Sequence, residues 1–325
     1  MLICLITPAA RHTFHGNRVT AQRWAGMLSE MGHRVQVAQE YRDQPADLLL
    51  ALHARKSAAS VRRFRSQHPN APIVLALTGT DLYPDLVTAG VSLDVLEMAD
   101  RLVVLQHLAT RQVPQRLAGR ARVIHQSVAP HVTGSTPPAR SGTTFDVALL
   151  AHLRPVKDPL LGAAAARLLS PDSRVRIRHA GAVIDPELGR RAEQETRRNP
   201  RYDWLGERSR DEALSLLRGS RLLLLTSRHE GGANVISEAL AAGVPVVCSA
   251  IPGSIGLLGE SYPGYFPTGD PAALADLLAA FEADRDDIRT AAEEHCTALR
   301  PLVDPATEGA AWARLLAELP GPVSR

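Results

Sequence analysis

The most chemically suggestive stretch of the sequence is a run of glycines and acids that follows the apolar segment Arg221–Thr226. Gly231 and Gly232 precede a segment with helical periodicity, and the unpaired N–H groups at the start of a helix form an anion site. Glu230 and Glu238 flank that start with seven residues between them, so both carboxylates can contact one ligand. The pattern is suited to holding sugar hydroxyls on either side of a diphosphate. The alternative is a common glycine-rich turn with solvated glutamates.

Two cations come directly after another apolar segment, Asp146–Ala151. Arg154 and Lys157 lie three residues apart, where an Arg can bind a diphosphate through its planar fork and a Lys as a point charge. Two solvated surface cations are the alternative interpretation. Together with the helix start described above, the pair predicts a joint diphosphate clamp.

Polar residues also follow three apolar segments of the amino-terminal half, where cations and backbone N–H groups could hold an anionic ligand. One alternative is that these residues lie in solvated loops. Another is that Asp81 caps a helix and that His53 has only a structural role. The candidate residues of this half are Arg11, His15, Gly16, Asn17, Arg18, His53, Lys56, Thr78, Gly79, Thr80 and Asp81.

Short apolar segments alternate with longer amphipathic ones along most of the chain. Strand–helix alternation with short connections predicts parallel sheets covered on both faces, and ligands gather at the carboxyl ends of such strands. The predicted strands are Leu2–Thr7, Arg34–Gln39, Leu48–Leu52, Ile73–Leu77, Arg101–Leu105, Arg122–His125, Asp146–Ala151, Arg174–His179, Tyr202–Leu205, Arg221–Thr226 and Val244–Ser249. The predicted helices are Val19–Met31, Ala58–His68, Leu93–Ala99, Leu160–Leu169, Pro186–Asn199, Asp211–Arg218, Val235–Ala242 and Pro305–Leu319.

The alternation stops at Val128–Thr144, which is rich in Pro, Gly, Ser and Thr and has no apolar period. We interpret this segment as a linker; a surface loop within one domain is the alternative. A length of 325 residues also favours two domains. The predicted fold class is therefore α/β, with two doubly wound Rossmann-like domains at residues 1–140 and 141–304, whose parallel sheets face across a cleft. A terminal helix within residues 305–325 could pack back on the first domain.

Composition excludes several classes of protein. The 37 Lys and Arg exceed the 34 Asp and Glu by only three, which argues against a nucleic-acid-binding protein. Three widely spaced cysteines form neither a disulfide framework nor a zinc set, and metal-protease, P-loop and serine-hydrolase motifs are missing from the sequence. No apolar run reaches ~18 residues, so we expect no membrane insertion. The cysteine usage favours a reduced, cytoplasmic location, and the missing metal-binding motifs predict no metal cofactor.

The carboxyl half resembles the retaining GT-B glycosyltransferases of the family-4 type. The resemblance rests on Arg154, Lys157, the Glu230–Glu238 pair and the segment Ala241–Val247, which has the pattern A-x-G-x-P-V-V. It implies that Arg154 and Lys157 bind a donor diphosphate, Glu230 the donor sugar and Glu238 the ribose, with Glu230, Arg154 and Lys157 carrying catalysis. The implied donor-binding residues are Gly231, Gly232, Ala233, Asn234, Val235, Glu238 and Leu205.

Two segments of the amino half, Ile6–Leu28 and Ala76–Tyr83, resemble the selenosugar synthases of selenoneine biosynthesis. Those enzymes join a UDP-sugar, UDP-N-acetylglucosamine or UDP-glucose, to selenophosphate through a carbon–selenium bond. The resemblance implies the same substrates here and makes the first domain the acceptor-binding one. Two alternatives stay open: a family-4 transferase acting on a hydroxyl acceptor, and a non-catalytic protein that binds sugar nucleotides on the same fold.

Overall fold

The computed structural model describes residues 1–8, 16–129 and 143–320. These residues form two compact units. The first unit consists of Met1–Ser127, the short segment Glu230–Ala233 and the described residues from Pro305 onward. The second unit consists of Val128–His229 and Asn234–Asp304. Among the described residues, no helix is both long enough and apolar enough to cross a bilayer.

The first unit is built on a six-stranded parallel sheet with the strand order β2-β1-β3-β4-β5-β6. Its strands are β1 (Leu2–Ile6), β2 (Arg34–Ala38), β3 (Leu48–Leu52), β4 (Ile73–Leu77), β5 (Arg101–Val104) and β6 (Ala121–Val123). Its first three helices are α1 (Gly16–Glu30), α2 (Ala58–Gln67) and α3 (Leu93–Glu97).

The central strands of this sheet are buried on both faces, as their unbroken apolar sequences predict. Within β3, Leu49 and Ala51 belong to one apolar cluster, whereas Leu48, Leu50 and Leu52 belong to another. This alternation follows from the two-residue period of a strand, which sends successive side chains to opposite faces.

The second unit is built on a second six-stranded parallel sheet, with the order β12-β11-β10-β7-β8-β9. Its strands are β7 (Phe145–Leu150), β8 (Val175–Ala180), β9 (Tyr202–Trp204), β10 (Leu222–Leu225), β11 (Val246–Ser249) and β12 (Tyr265–Phe266). Its helices are α4 (Leu161–Ala166), α5 (Pro186–Arg198), α6 (Arg210–Gly219), α7 (Asn234–Ala242), α8 (Pro252–Leu258), α9 (Pro271–Ala283) and α10 (Ile288–Leu299).

Three of these helices begin at side chains that accept hydrogen bonds from the first-turn N–H groups. Asp185 caps α5, Ser209 caps α6 and Asp270 caps α9. At α6 the cap is reciprocal, because the Glu212 carboxylate accepts a 2.9 Å bond from the Ser209 N–H. The start of α6 is therefore fixed by its own sequence.

The last helix, α11 (Pro305–Ala317), packs within the first unit. Its Trp312 ring lies 4.8 Å from the Trp24 ring of α1 in an edge-to-face arrangement. Both rings are fully buried, and they belong to the same apolar cluster as alternate residues of β1 and β3.

A buried carboxylate fastens α11 to the rest of the first unit. Glu308 accepts hydrogen bonds from Arg23 Nε at 2.9 Å, from Trp24 Nε1 at 2.6 Å and from the Ser127 N–H at 2.9 Å. These donors satisfy a charge that has no access to water. The helix is thus held by charge as well as by apolar packing.

We expect Glu308→Ala to lower the free energy of unfolding by about 3–5 kcal/mol, because it leaves the Arg23 charge and the Trp24 N–H without their partner. Urea unfolding followed by tryptophan fluorescence measures the change. The control is Glu318→Ala, whose carboxylate pairs with Arg101 at the surface and should matter much less. Equal losses in the two variants would contradict the role given to Glu308.

In both sheets the strand order reverses next to the first strand of the unit, at β1/β3 in the first unit and at β7/β10 in the second. Ligands of open parallel sheets bind beyond the carboxyl ends of the strands at such reversals. The topology therefore directs attention to the residues that follow β1 and β3, and to those that follow β7 and β10.

Candidate functional site

The turn after β7 carries the two cations that the sequence singled out. Arg154 is extended, and Pro155–Lys157 forms a single 3₁₀ turn that ends at Asp158 with a left-handed φ of 43°. Proline at the first position of this turn has the φ that the turn requires. The turn places Arg154 and Lys157 at the carboxyl end of β7, as predicted.

Three hydrogen bonds connect this turn to the residues that follow β10, the neighbouring strand. Thr226 Oγ1 donates to the Lys157 carbonyl at 2.8 Å, and the Arg228 N–H donates to the Val156 carbonyl at 2.9 Å. The Arg228 guanidinium also lies 2.7 Å from the Asp158 carboxylate. The Lys157 side chain therefore starts from a fixed backbone. Sequence analysis missed Arg228 and Asp158, because their pairing joins segments that are distant in the chain.

The Arg154 guanidinium is suited to an anion. Its Nε is buried and has no hydrogen-bond partner among residues 1–8, 16–129 and 143–320. A buried N–H without a partner costs about 1–3 kcal/mol, and a phosphate or carboxylate oxygen would satisfy it.

Ala151, the residue after β7, is held by a histidine that sequence analysis did not single out. His179 of β8 places Nε2 2.8 Å from the Ala151 carbonyl and Nδ1 2.6 Å from the Tyr202 hydroxyl. Burial lowers the pKa of His179 to about 4, so the ring is neutral at pH 7. Nε2 must carry the hydrogen because it faces a carbonyl, so Nδ1 accepts from Tyr202. This chain of bonds fixes the point from which the Arg154 turn begins.

The helix α7 begins at Asn234, so the N–H groups of its first turn, including that of Val235, have no partners within the helix. Glu238 follows in the second turn, and its side chain is only 10% exposed. Arg210, the first residue of α6, places Nη2 2.9 Å from Glu238 Oε1. Leu205 follows β9, where its N–H donates to the His179 carbonyl at 2.7 Å. The second unit thus carries Arg154, Lys157 and Leu205 at the carboxyl edge of its sheet, and Asn234, Val235 and Glu238 in the helix that follows β10.

In the first unit, a buried acid organises the strand ends. Asp81 accepts hydrogen bonds from the N–H groups of Thr78 at 3.0 Å and Gly79 at 2.8 Å, and from the Ala54 N–H at 2.7 Å. The carboxylate therefore connects the turn after β4 to the turn after β3. The sequence left open that Asp81 caps a helix. In the structure its two oxygens accept hydrogen bonds from three backbone N–H groups, so Asp81 caps turns instead of a helix.

His53 lies beside this acid with a left-handed φ of 70°. Its Nε2 is 3.2 Å from the Thr80 hydroxyl, and its Nδ1 is 3.8 Å from the Asp81 carboxylate. Burial lowers the pKa of His53, against the opposite effect of the Asp81 charge, so the ring is neutral at pH 7. Lys56 and Thr80 are exposed, so their side chains can reach a ligand at these strand ends.

The start of α1 supplies the remaining described residues of the acceptor group. The Asn17 backbone carbonyl accepts a 3.3 Å hydrogen bond from the hydroxyl of Thr7, which follows β1. Gly16 is exposed at the first position of the helix. Arg18 Nε is buried with no hydrogen-bond partner in the described part of the chain. The predicted residues Arg11 and His15 lie outside the described residues.

The segment Glu230–Ala233 packs closely on the strand ends of the first unit. A Cβ atom added at Gly231 would lie 2.7 Å from the Gly79 backbone, and one added at Gly232 would lie 2.6 Å from Leu105 Cβ. The segment therefore has no room for side chains at either glycine. Glu230 directly precedes Gly231, which packs on the Thr78–Asp81 turn. The backbone of Glu230 therefore lies next to that turn.

Within the described residues, no three His, Cys, Asp or Glu side chains group as ligands for a metal ion. All three cysteines are buried, and burial raises the pKa of each thiol, to about 11 for Cys4.

Comparison with known proteins finds one matching family and several related sequences. Residues 138–295 match the family described as glycosyl transferases group 1. The D-inositol 3-phosphate glycosyltransferase of Mycolicibacterium vanbaalenii is 30% identical over 228 residues, which cover 62% of this chain and 50% of that protein. The enzyme of the same description from Mycolicibacterium gilvum is 30% identical over 216 residues, covering 62% and 49%. The chain spans about half the length of these curated relatives.

Solved structures match nearly the whole chain in fold. HepE of Anabaena in complex with UDP-glucose matches with a TM-score of 0.76 and 18% identity, covering 98% of this chain and 100% of that one. Sucrose-phosphate synthase of Thermosynechococcus elongatus matches with a TM-score of 0.78 and 16% identity, covering 98% of each chain. At these identities the likeness shows the fold. The predicted α/β class with two Rossmann-like parallel sheets, the GT-B fold, is confirmed.

Proposed function

We propose that this protein, whose residues 138–295 match the family described as glycosyl transferases group 1, transfers a sugar from a UDP-sugar to a small anionic acceptor. One observation carries the proposal: the Arg154–Lys157 turn is fastened to the residues after β10, which lead into α7. A diphosphate bound there would meet two cations and the positive end of a helix. These groups stabilise the negative charge that develops when a diphosphate leaves, which is where such an enzyme gains most of its rate.

The donor is proposed to be UDP-N-acetylglucosamine or UDP-glucose. The Anabaena HepE structures contain UDP and UDP-glucose, and their architecture is shared with this chain. In our proposal, Arg154 and Lys157 bind the diphosphate, and backbone groups of Gly231–Val235 add hydrogen bonds. Glu230 binds the hydroxyls of the sugar and Glu238 those of the ribose. No metal ion is required, because the two cations neutralise the diphosphate.

The acceptor is proposed to be selenophosphate. The support is the resemblance of Ile6–Leu28 and Ala76–Tyr83 to selenosugar synthases, together with the basic residues Arg18 and Lys56 near the strand ends of the first unit. Selenium attacks the anomeric carbon, so a carbon–selenium bond forms while the bond from that carbon to the UDP oxygen breaks. Water then cleaves the selenium–phosphorus bond and releases phosphate. Because the selenium is already ionised at neutral pH, the first step needs no strong base.

A hydroxyl acceptor that carries a phosphate is the second candidate. The curated relatives are named D-inositol 3-phosphate glycosyltransferases, which suggests this class of acceptor. A hydroxyl must lose its proton, and the neutral His53 at the end of β3 is a group that could accept one.

Mass spectrometry of the products separates these possibilities. The purified protein is incubated with each UDP-sugar and with selenophosphate, D-inositol 3-phosphate or no acceptor, and UDP release is measured in parallel. We expect UDP and a selenium-containing sugar only with selenophosphate. Turnover with the inositol phosphate alone would overturn the selenium assignment. Binding of UDP without turnover of any acceptor would favour a non-catalytic sugar-nucleotide-binding protein.

A further inference from the structure

The stability of the helices α6 and α7 does not explain the ion pair that Arg210 and Glu238 form between them. Arg210 Nη2 lies 2.9 Å from Glu238 Oε1, and the two side chains are 34% and 10% exposed. Arg210 is the first residue of α6, where the helix dipole disfavours a positive charge. The cap of α6 is already complete through Ser209 and Glu212, so the helix start does not need Arg210. The position of Arg210 is explained if its role is to hold the Glu238 carboxylate in place.

Glu238 is the carboxylate that gains from this pairing. It lies in the second turn of α7, nearly buried, where an ionised acid requires a charged or hydrogen-bonding partner. A carboxylate has two oxygens with about four acceptor positions, so one group can accept from Arg210 and from a ligand hydroxyl at the same time. Arg210 also directly follows the connection between β9 and α6, which contains Leu205. Arg210 thereby sets the direction of the acid relative to that connection.

We propose that Arg210 is a positioning residue that orients Glu238 toward the ribose hydroxyls of the donor nucleotide. This inference rests on the proposed function, which assigns the ribose to Glu238. Arg210 itself does not contact the reacting atoms. Its loss removes the charged group that holds Glu238 Oε1, so the carboxylate is no longer fixed in one direction and becomes a poorer acceptor for a ribose hydroxyl. Recognition of the nucleoside should therefore suffer, whereas recognition of the diphosphate should not.

The test compares the binding of UDP, 2′-deoxy-UDP and 3′-deoxy-UDP by isothermal titration calorimetry. A hydrogen bond to a charged group is worth about tenfold or more in affinity, so the wild-type protein should prefer UDP over at least one deoxy analogue by about that factor. We expect Arg210→Met to reduce this preference to less than about twofold, with Arg210→Lys intermediate. If Arg210 had only a structural role, Arg210→Met would weaken the binding of all three ligands equally and leave the preference for UDP unchanged.

Two further variants complete the comparison. Arg218→Met removes a cation from the last turn of the same helix and should keep the wild-type preference. Glu238→Gln should lose the preference as Arg210→Met does, and it carries the comparison if Arg210→Met fails to fold. An undiminished preference in Arg210→Met or Arg210→Lys would overturn the inference, as would wild-type protein that binds all three ligands equally. Wild-type protein that binds no UDP would instead overturn the proposed function.

Discussion

Replacing Arg154 with methionine should lower kcat/KM for the UDP-sugar by about 100- to 1,000-fold, the usual cost of removing one group that stabilises transition-state charge. Arg154 stands at the carboxyl end of β7, and its buried Nε has no partner within the described ranges. The substitution keeps most of the apolar stem but removes the planar fork that binds a diphosphate. Initial rates of UDP release at varied donor concentration measure the effect.

The control for this prediction is Arg167→Met, in the same unit. Arg167 follows α4 and pairs with Glu195 at the surface, away from the carboxyl ends of the strands. We expect wild-type kinetics from this variant. If Arg154→Met kept more than a tenth of the wild-type kcat/KM, Arg154 would not be part of the diphosphate site.

Gly231→Ala should reduce turnover by a similar factor while the protein stays folded. The added Cβ would lie 2.7 Å from backbone atoms of Gly79 and Thr78, closer than non-bonded carbon atoms approach. A backbone neighbour cannot rotate away as a side chain can, so the segment Glu230–Ala233 must move, and Glu230 with it. A displacement of about 1 Å can cost a factor of 100 in rate. Steady-state kinetics and circular dichroism together measure the two parts of the prediction.

Gly26→Ala is the matched control in the first unit. Gly26 lies within α1, and apart from the backbone of its own helix no atom of the described residues comes within 4 Å of a Cβ added there. Alanine should keep full activity and stabilise the helix by up to about 1 kcal/mol, from its higher helix propensity. If Gly231→Ala were as active as Gly26→Ala, the close packing of the segment on the strand ends would have no catalytic role.

The strands could be predicted from the sequence because fully buried parallel strands have unbroken apolar runs. The runs LLLAL and IVLAL match β3 and β4 residue for residue, and all eleven predicted strands occur within two residues at each end. The two-residue strand β12 is too short to carry a pattern. The helix α8 begins Pro-Gly-Ser and contains a further glycine, so its sequence has a low helix propensity. Most of its residues are buried, and this burial stabilises the helix. The helices α9 and α10 were also missed, although Asp270 before Pro271 is a recognisable helix start.

For the candidate site, the sequence predicted positions at strand ends but not the contacts that hold them. Arg154, Lys157 and Asn234 follow neighbouring parallel strands, β7 and β10, so strand pairing places them at the same edge of the sheet. The pairing of Arg210 with Glu238 and that of Arg228 with Asp158 join residues 28 and 70 positions apart, and no local pattern reveals such contacts. The structure describes only part of the predicted acceptor-binding set, because Arg11 and His15 lie outside the described residues.

A crystal structure of the protein with UDP is the most direct test of the claim that the second unit binds a nucleotide diphosphate. We expect density for the β-phosphate within hydrogen-bond distance of the Arg154 and Lys157 side chains and of the first N–H groups of α7. Nucleotide bound elsewhere, or with its diphosphate out of reach of both cations, would contradict that claim.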